Sequence, residues 1–290
     1  MSNPLFTGVC TALVTPFRND KINYDMLDQL LERQLQAGVR SVVLSGTTGE
    51  SPALSDDEKI QLIFHARSAV QKDCLIIAGT GSNNTEHTLK MSGEAVQAGA
   101  DAILVVSPYY NKGNEDGLYR HYSEIAKSVK KPIVVYNVPS RTGMDIPVTV
   151  YERLSHIDNI AGVKEATQDI TKIAKIRTLC KDDFCIWSGN DDQVVPVIAM
   201  GGKGIVSVLS NLYPRETLEM TEAALQGDYE KASKMQSKLM PLINAIFSEV
   251  NPIPVKYALK EIGFDCGSCR LPLGMLSVKN RDLLTSLLIK

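Results

Sequence analysis

Lys164 is the side chain with the most reactive potential in this sequence. It follows Ile160, Ala161, Gly162 and Val163, an apolar run that predicts a buried strand, with the ammonium reaching toward the strand's end. A free lysine amine is neutral only about once in 2,500 molecules at pH 7. Desolvation that lowers such a pKa by about 3 units yields a nucleophile at a cost of about 4 kcal/mol, a large share of a domain's net stability. Position alone leaves two readings open: a Schiff-base nucleophile, or a lysine that reaches solvent or pairs with Glu165. Imine chemistry also needs groups that give and take protons. Tyr136 ends the preceding strand-like run and can face Lys164, and Thr47 with a second tyrosine would extend a hydroxyl relay to solvent. The turn Gly46-Thr47-Thr48-Gly49-Glu50 offers backbone N–H groups and hydroxyls to a carboxylate. Arg141 offers its fork to a second one. Read plainly, the same features are a capped turn and a surface arginine.

The elements that must position these groups repeat along the chain. Short apolar runs cover Gly8–Phe17, Ser41–Ser45, Leu75–Gly81, Ala102–Ser107, Ile133–Pro139, Ile160–Glu165, Phe184–Ser188 and Gly204–Val208. Several are continuously hydrophobic, as strands covered on both faces are. Helical spacing fills the intervals. Met26, Leu27, Leu30, Leu31 and Leu35 form a stripe that stops at Gly38. Ser55 and Glu58 form a capping box, and Leu118, Tyr122, Ile125 and Val129 repeat the stripe before Lys131-Pro132. Eight strand–helix units predict a (β/α)8 TIM barrel over residues 1–227. An open doubly wound sheet is the alternative, weakened by the absence of G-x-G-x-x-G after an early strand. Residues 228–290 read as helices only (Tyr229–Phe247, Val255–Ile262, Asn280–Ile289), broken by Asn251-Pro252-Ile253-Pro254 and packed beside the barrel as an appendage.

Composition narrows the function. The chain has 290 residues, 44% hydrophobic and 22% charged, with 31 Lys+Arg against 33 Asp+Glu and a net charge of -2. It is long enough to bury roughly three-quarters of its unfolded surface. No basic tract points to nucleic acid or an anionic membrane, and no run nears the roughly 18 apolar residues of a membrane span. The first 17 residues lack a basic leader pattern. Six scattered cysteines suit reduced thiols in a cytoplasm. Cys266 and Cys269 form a lone C-x-x-C with no second pair nearby, which predicts buried or incidental thiols over a metal or redox site. A small-molecule substrate and no cofactor or metal are expected.

With these residues in view, the chain resembles the dihydrodipicolinate synthase family, pyruvate-dependent relatives of the class I aldolases. The likeness runs from Thr11–Phe17 to Leu271–Leu273 and includes Gly46–Glu50, Tyr136–Gly143, Gly162–Thr167, Gly202–Val208 and Asn251–Lys256. It implies that Lys164 forms a Schiff base with pyruvate and that the enamine attacks L-aspartate 4-semialdehyde, opening lysine and diaminopimelate biosynthesis. Tyr136, Thr47 and Tyr110 match the proton relay, Tyr110 coming from a neighbouring subunit, so that a homodimer is the smallest active unit and a homotetramer is expected. Thr48 matches the pyruvate carboxylate binder, Arg141 the residue meeting the semialdehyde carboxylate, Gly189 a pocket position whose carbonyl approaches the lysine, and Val206 the pocket wall. N-acetylneuraminate lyases and 2-keto-3-deoxygluconate aldolases share the barrel and the lysine. They usually lack an arginine like Arg141 and the Glu165-Ala166-Thr167 sequence. Feedback-inhibited members bind lysine through a histidine or aromatic residue, a further histidine and a glutamate. Asp56, Lys59 and His87 stand at those positions, while Ser51, Asn83 and Tyr109 are kept. The resemblance therefore implies weak or absent lysine inhibition.

Overall fold

The computed structural model describes residues 4–288. Eight parallel strands close into a barrel: β1 (Gly8–Ala12), β2 (Ser41–Leu44), β3 (Leu75–Gly79), β4 (Ala102–Val106), β5 (Ile133–Asn137), β6 (Ile160–Glu165), β7 (Cys185–Ser188) and β8 (Gly204–Ser207). Each pairs with its neighbours in sequence, and β8 closes onto β1. The strands are buried along most of their length, which is why they read as unbroken apolar runs. The expected run to Phe17 is instead two elements. β1 ends at Ala12, and Phe17–Arg18 pairs antiparallel with Lys21–Ile22 through a turn in which Asn19 and Asp20 hold positive φ. The run expected to reach Pro139 stops at Asn137, because Pro139 opens a short helix, Pro139–Thr142.

Helices cover the outside. Asn23 caps the helix Tyr24–Gln36, whose stripe Met26, Leu27, Leu30 and Leu31 is buried, and Gly38 follows at φ +95. Ser55 and Glu58 form the reciprocal capping box of the helix Asp56–Val70. After the last barrel helix, Pro214–Leu225, come Tyr229–Ile246, Ile253–Glu261 and Val278–Leu287. The expected end of the last helix at Ile289 lies outside the described residues. None of the helices in the described residues is long and apolar enough to cross a membrane.

One irregularity in the barrel decides what faces inward. Ile133 pairs with Ile160, yet Val134 pairs with Gly162, so Ala161 is the extra residue of a β-bulge. Gly162 is needed there: a Cβ would lie 2.0 Å from the Cys185 carbonyl oxygen. Beyond the bulge Tyr136 stands opposite Lys164 and Asn137 opposite Glu165. Counting on from Ile133 without it would set Val163 against Tyr136 and turn Lys164 to the outer face. The interior set is then Val134, Tyr136, Val138 and Ala166 with Cys10, Leu104, Trp187 and Val206. Phe6 stacks on Trp187 at 4.7 Å and accepts its indole N–H at 3.1 Å, closing the N-terminal end.

Candidate active site

At the C-terminal end of the strands a cavity of about 220 Å³ collects Thr47, Thr48, Tyr136, Arg141, Lys164, Gly189 and Asp191, where barrel enzymes place their reacting groups. Lys164 is 6% exposed. Its Nζ lies 4.1 Å from the centroid of the Tyr136 ring. Among the described residues no carboxylate stands within ion-pair distance of it. Glu165, the alternative partner, points the other way. Its two oxygens accept from Asn137 Nδ2 at 2.7 Å and Tyr151 Oη at 3.0 Å, and Lys172 Nζ lies 3.6 Å away. Burial raises the Glu165 carboxyl above its usual range, with Lys172 pulling against it. Lys172 also pairs with Asp145, which accepts from Asn137, so the loop beyond β5 is tied to the wall behind Lys164.

The loop after β2 is held from two sides. Thr15 Oγ1 donates to the Gly49 carbonyl at 2.7 Å. Glu50, at φ +57, receives Lys256 Nζ at 2.7 Å and the Arg270 N–H at 2.8 Å, with both charged side chains buried. Lys256 also lies 4.4 Å over the Phe17 ring. Between these anchors Thr47 and Thr48 face the cavity. Thr48 Oγ1 accepts from Asn251 Nδ2 at 2.9 Å, and Asn251 Oδ1 is buried without a donor.

The remaining expected residues divide. Gly189 lines the cavity with its N–H on the Glu165 carbonyl at 2.7 Å. A Cβ there would meet that of Ala166 at 2.8 Å. Arg141 lines it too, its Nη2 3.4 Å from the Asn251 carbonyl oxygen. Val206 is buried in the interior set, and Val208, two residues on, forms the wall. Tyr110 is 91% exposed at φ +66 and lies outside the cavity of its own chain. A second lobe of about 450 Å³ shares Thr47, Tyr136 and Arg141 and runs past Ser51, Lys59, His87 and Tyr109. There Asp56 meets His87 at 3.0 Å and Lys59 at 3.8 Å. Burial holds the Lys59 ammonium below its usual range, opposed by Asp56.

Two groups escaped the sequence reading. Asp191 is buried on the cavity and accepts from Ser207 Oγ at 2.5 Å and from the Val208 and Leu209 N–H groups at 2.9 and 3.1 Å. Burial raises its carboxyl, while those bonds and Lys164 lower it. The C-terminal helices also reach the mouth through Ile243, Asn244, Phe247 and Asn251. The Asn-Pro-Ile-Pro break was the available signal. Burial pushes the thiols of Cys266 and Cys269 up to about 12, so both are protonated at neutral pH.

A family model described as the dihydrodipicolinate synthetase family matches residues 5–290. The chain belongs to the dihydrodipicolinate synthetase family. It is 45% identical over 284 residues to the 4-hydroxy-tetrahydrodipicolinate synthase of Acetivibrio thermocellus, covering 98% of this chain and 97% of that one. The crystal structure of dihydrodipicolinate synthase from Thermotoga maritima superposes with a TM-score of 0.96 at 41% identity over 98% of both chains. A monomeric dihydrodipicolinate synthase variant superposes equally well, at 41% identity over 98% and 96%.

Proposed function

We propose that this chain is a 4-hydroxy-tetrahydrodipicolinate synthase, a lyase that condenses pyruvate with L-aspartate 4-semialdehyde. The observation that carries the reading is Lys164 Nζ: buried at a cavity, set against Tyr136, with its neighbouring carboxylate turned away and paired to Lys172. The neutral amine adds to the pyruvate keto carbon, giving a carbinolamine. Protonation of its hydroxyl expels water and leaves the imine. Loss of a methyl proton then gives the enamine, which attacks the aldehyde carbon of the second substrate. The substrate's own amino group displaces Lys164 and closes the ring, freeing the enzyme. Tyr136 is the group that gives and takes these protons. Thr47, and Tyr110 from a second copy, connect it to solvent, which fits an aromatic ring left 91% exposed in one chain. Thr48 holds the pyruvate carboxylate, Arg141 the carboxylate of the semialdehyde, and Gly189 with Val208 shapes the space around the adduct, Val206 packing in the barrel interior below.

A homodimer is the smallest working unit in this reading, pairing into a tetramer, and the enzyme acts in the cytoplasm. Residues 1–227 form the catalytic barrel and 228–290 an extension that completes its mouth through Asn251 and Phe247. Borohydride reduction in the presence of pyruvate tests the chemistry. A pyruvate-derived mass increment mapping to Lys164 is expected; an unmodified chain, or a label elsewhere, overturns the reading.

A further inference from the structure

The Thr48 hydroxyl has one oxygen and one proton to place. Its oxygen takes the Asn251 Nδ2 proton at 2.9 Å, and no described residue accepts the Thr48 proton. A hydroxyl whose lone pair is engaged by a donor directs its own proton away from that donor. Here the way left open is the cavity. Asn251 itself is fixed: it is buried, its carbonyl oxygen lies 3.4 Å from Arg141 Nη2, and its Oδ1 meets no donor. A buried acceptor without a partner opposes folding, so the amide at this position carries a local cost.

We infer that Asn251 is a positioning residue that sets the Thr48 hydroxyl as a hydrogen-bond donor into the cavity and so selects a substrate carboxylate there. The inference rests on the proposed role of Thr48 and extends it to the C-terminal extension, which then takes part in substrate binding from outside the barrel. Reversing the amide would reverse the logic. Oδ1 would take the Thr48 proton, and the hydroxyl would offer the cavity only a lone pair, which repels a carboxylate.

Asn251→Asp separates the two arrangements with almost no change in shape. Its carboxylate can only accept, so it draws the Thr48 proton away from the substrate. Protonated at lower pH, the introduced carboxyl regains a donor. Tyr136, Arg141, Lys164, Asp191 and Asp192 face the same cavity, so the effect is read as the difference between variant and parent at each pH. The measurement is the pyruvate concentration that half-saturates borohydride trapping, from pH 5 to 9, in the parent, Asn251→Asp, Asn251→Ala, Thr48→Val and the Thr48→Val combinations. A hydrogen bond to a charged group predicts about 10- to 100-fold weaker pyruvate binding for Asn251→Asp at high pH, shrinking as pH falls. Asn251→Ala, which loses orientation without reversing it, should lie between. In the Thr48→Val background both changes should lose most of their effect. Unchanged binding in Asn251→Asp, or the same penalty with and without the Thr48 hydroxyl, overturns the inference while parental trapping still upholds the Schiff base. A parent that is not trapped at all overturns the underlying reading, and the inference with it.

Discussion

Replacing Lys256 with methionine should destabilise the protein by removing one charge from a pair that has no access to water. Lys256 and Glu50 are 3% and 0% exposed and meet at 2.7 Å. Methionine keeps much of the stem's contact with Phe17 but leaves Glu50 holding only the Arg270 N–H as a strong donor. Breaking a buried pair from one side costs about 3–5 kcal/mol, because the remaining charge is neither solvated nor paired. At an unfolding entropy of about 2.1 cal/mol/K per residue, a chain of 290 residues should lose about 5–8 °C in midpoint. Differential scanning calorimetry at fixed protein concentration measures it, since assembly shifts the midpoint by mass action. Glu50 sits at φ +57 directly after Thr47-Thr48-Gly49, so pyruvate affinity should fall along with stability. Lys256→Met with Glu50→Gln removes both charges and should recover most of the loss. A single variant that melts within about 2 °C of the parent, or a double variant worse than the single, refutes the reasoning.

Tyr136→Phe should slow turnover by about 10²- to 10⁴-fold, the range for a removed acid–base group; near-normal steady-state turnover removes Tyr136 from the mechanism. Burial lowers the pKa of His121 from 6.5 to about 4. The unfolded chain therefore binds this proton as pH falls through about 6.5, while the folded chain does not until about 4. That uptake by the unfolded state withdraws about 3 kcal/mol of stability across the window. Urea midpoints of His121→Gln should lose this part of the slope between pH 7 and 4.5, and an unchanged slope refutes it. L-lysine should inhibit weakly or not at all, because Lys59 stands in the second lobe with Asp56 already paired to His87; sub-millimolar inhibition in a steady-state assay would overturn this.

The barrel was legible because each strand is buried on both faces and each helix only on one, so composition and period changed together along the chain. Its boundaries were less so. Pro139 looked like the end of a strand, whereas its fixed φ and missing N–H suit the first turn of a helix. Ala161 looked like any strand residue, and nothing in its type marks it as the extra member of a bulge. Lys164 could be chosen from its neighbours, but which face it occupied depends on that bulge. The Asn251–Thr48 contact joins residues 203 positions apart, a separation that no local pattern encodes. Tyr110 shows the opposite limit: its type suggested chemistry, yet one chain leaves it in solvent.

A nucleophilic lysine beside a glutamate in sequence poses an electrostatic problem, since a carboxylate within about 4 Å would hold the amine in its charged form. The strand's alternation solves half of it by sending Lys164 and Glu165 to opposite faces. The outer face would then strand Glu165 in the core, and Lys172, Asn137 and Tyr151 supply what its charge requires there. Asp191, which borders the cavity with Lys164 and Asp192, is engaged by Ser207 and two backbone N–H groups at both oxygens. Both oxygens are thus tied to Ser207 and the turn that follows β8. Bulge, outer ion pair and turn thus act on the same quantity, the fraction of time the Lys164 nitrogen is free of a counter-ion. Disturbing any of the three should change imine formation before it changes the shape of the pocket.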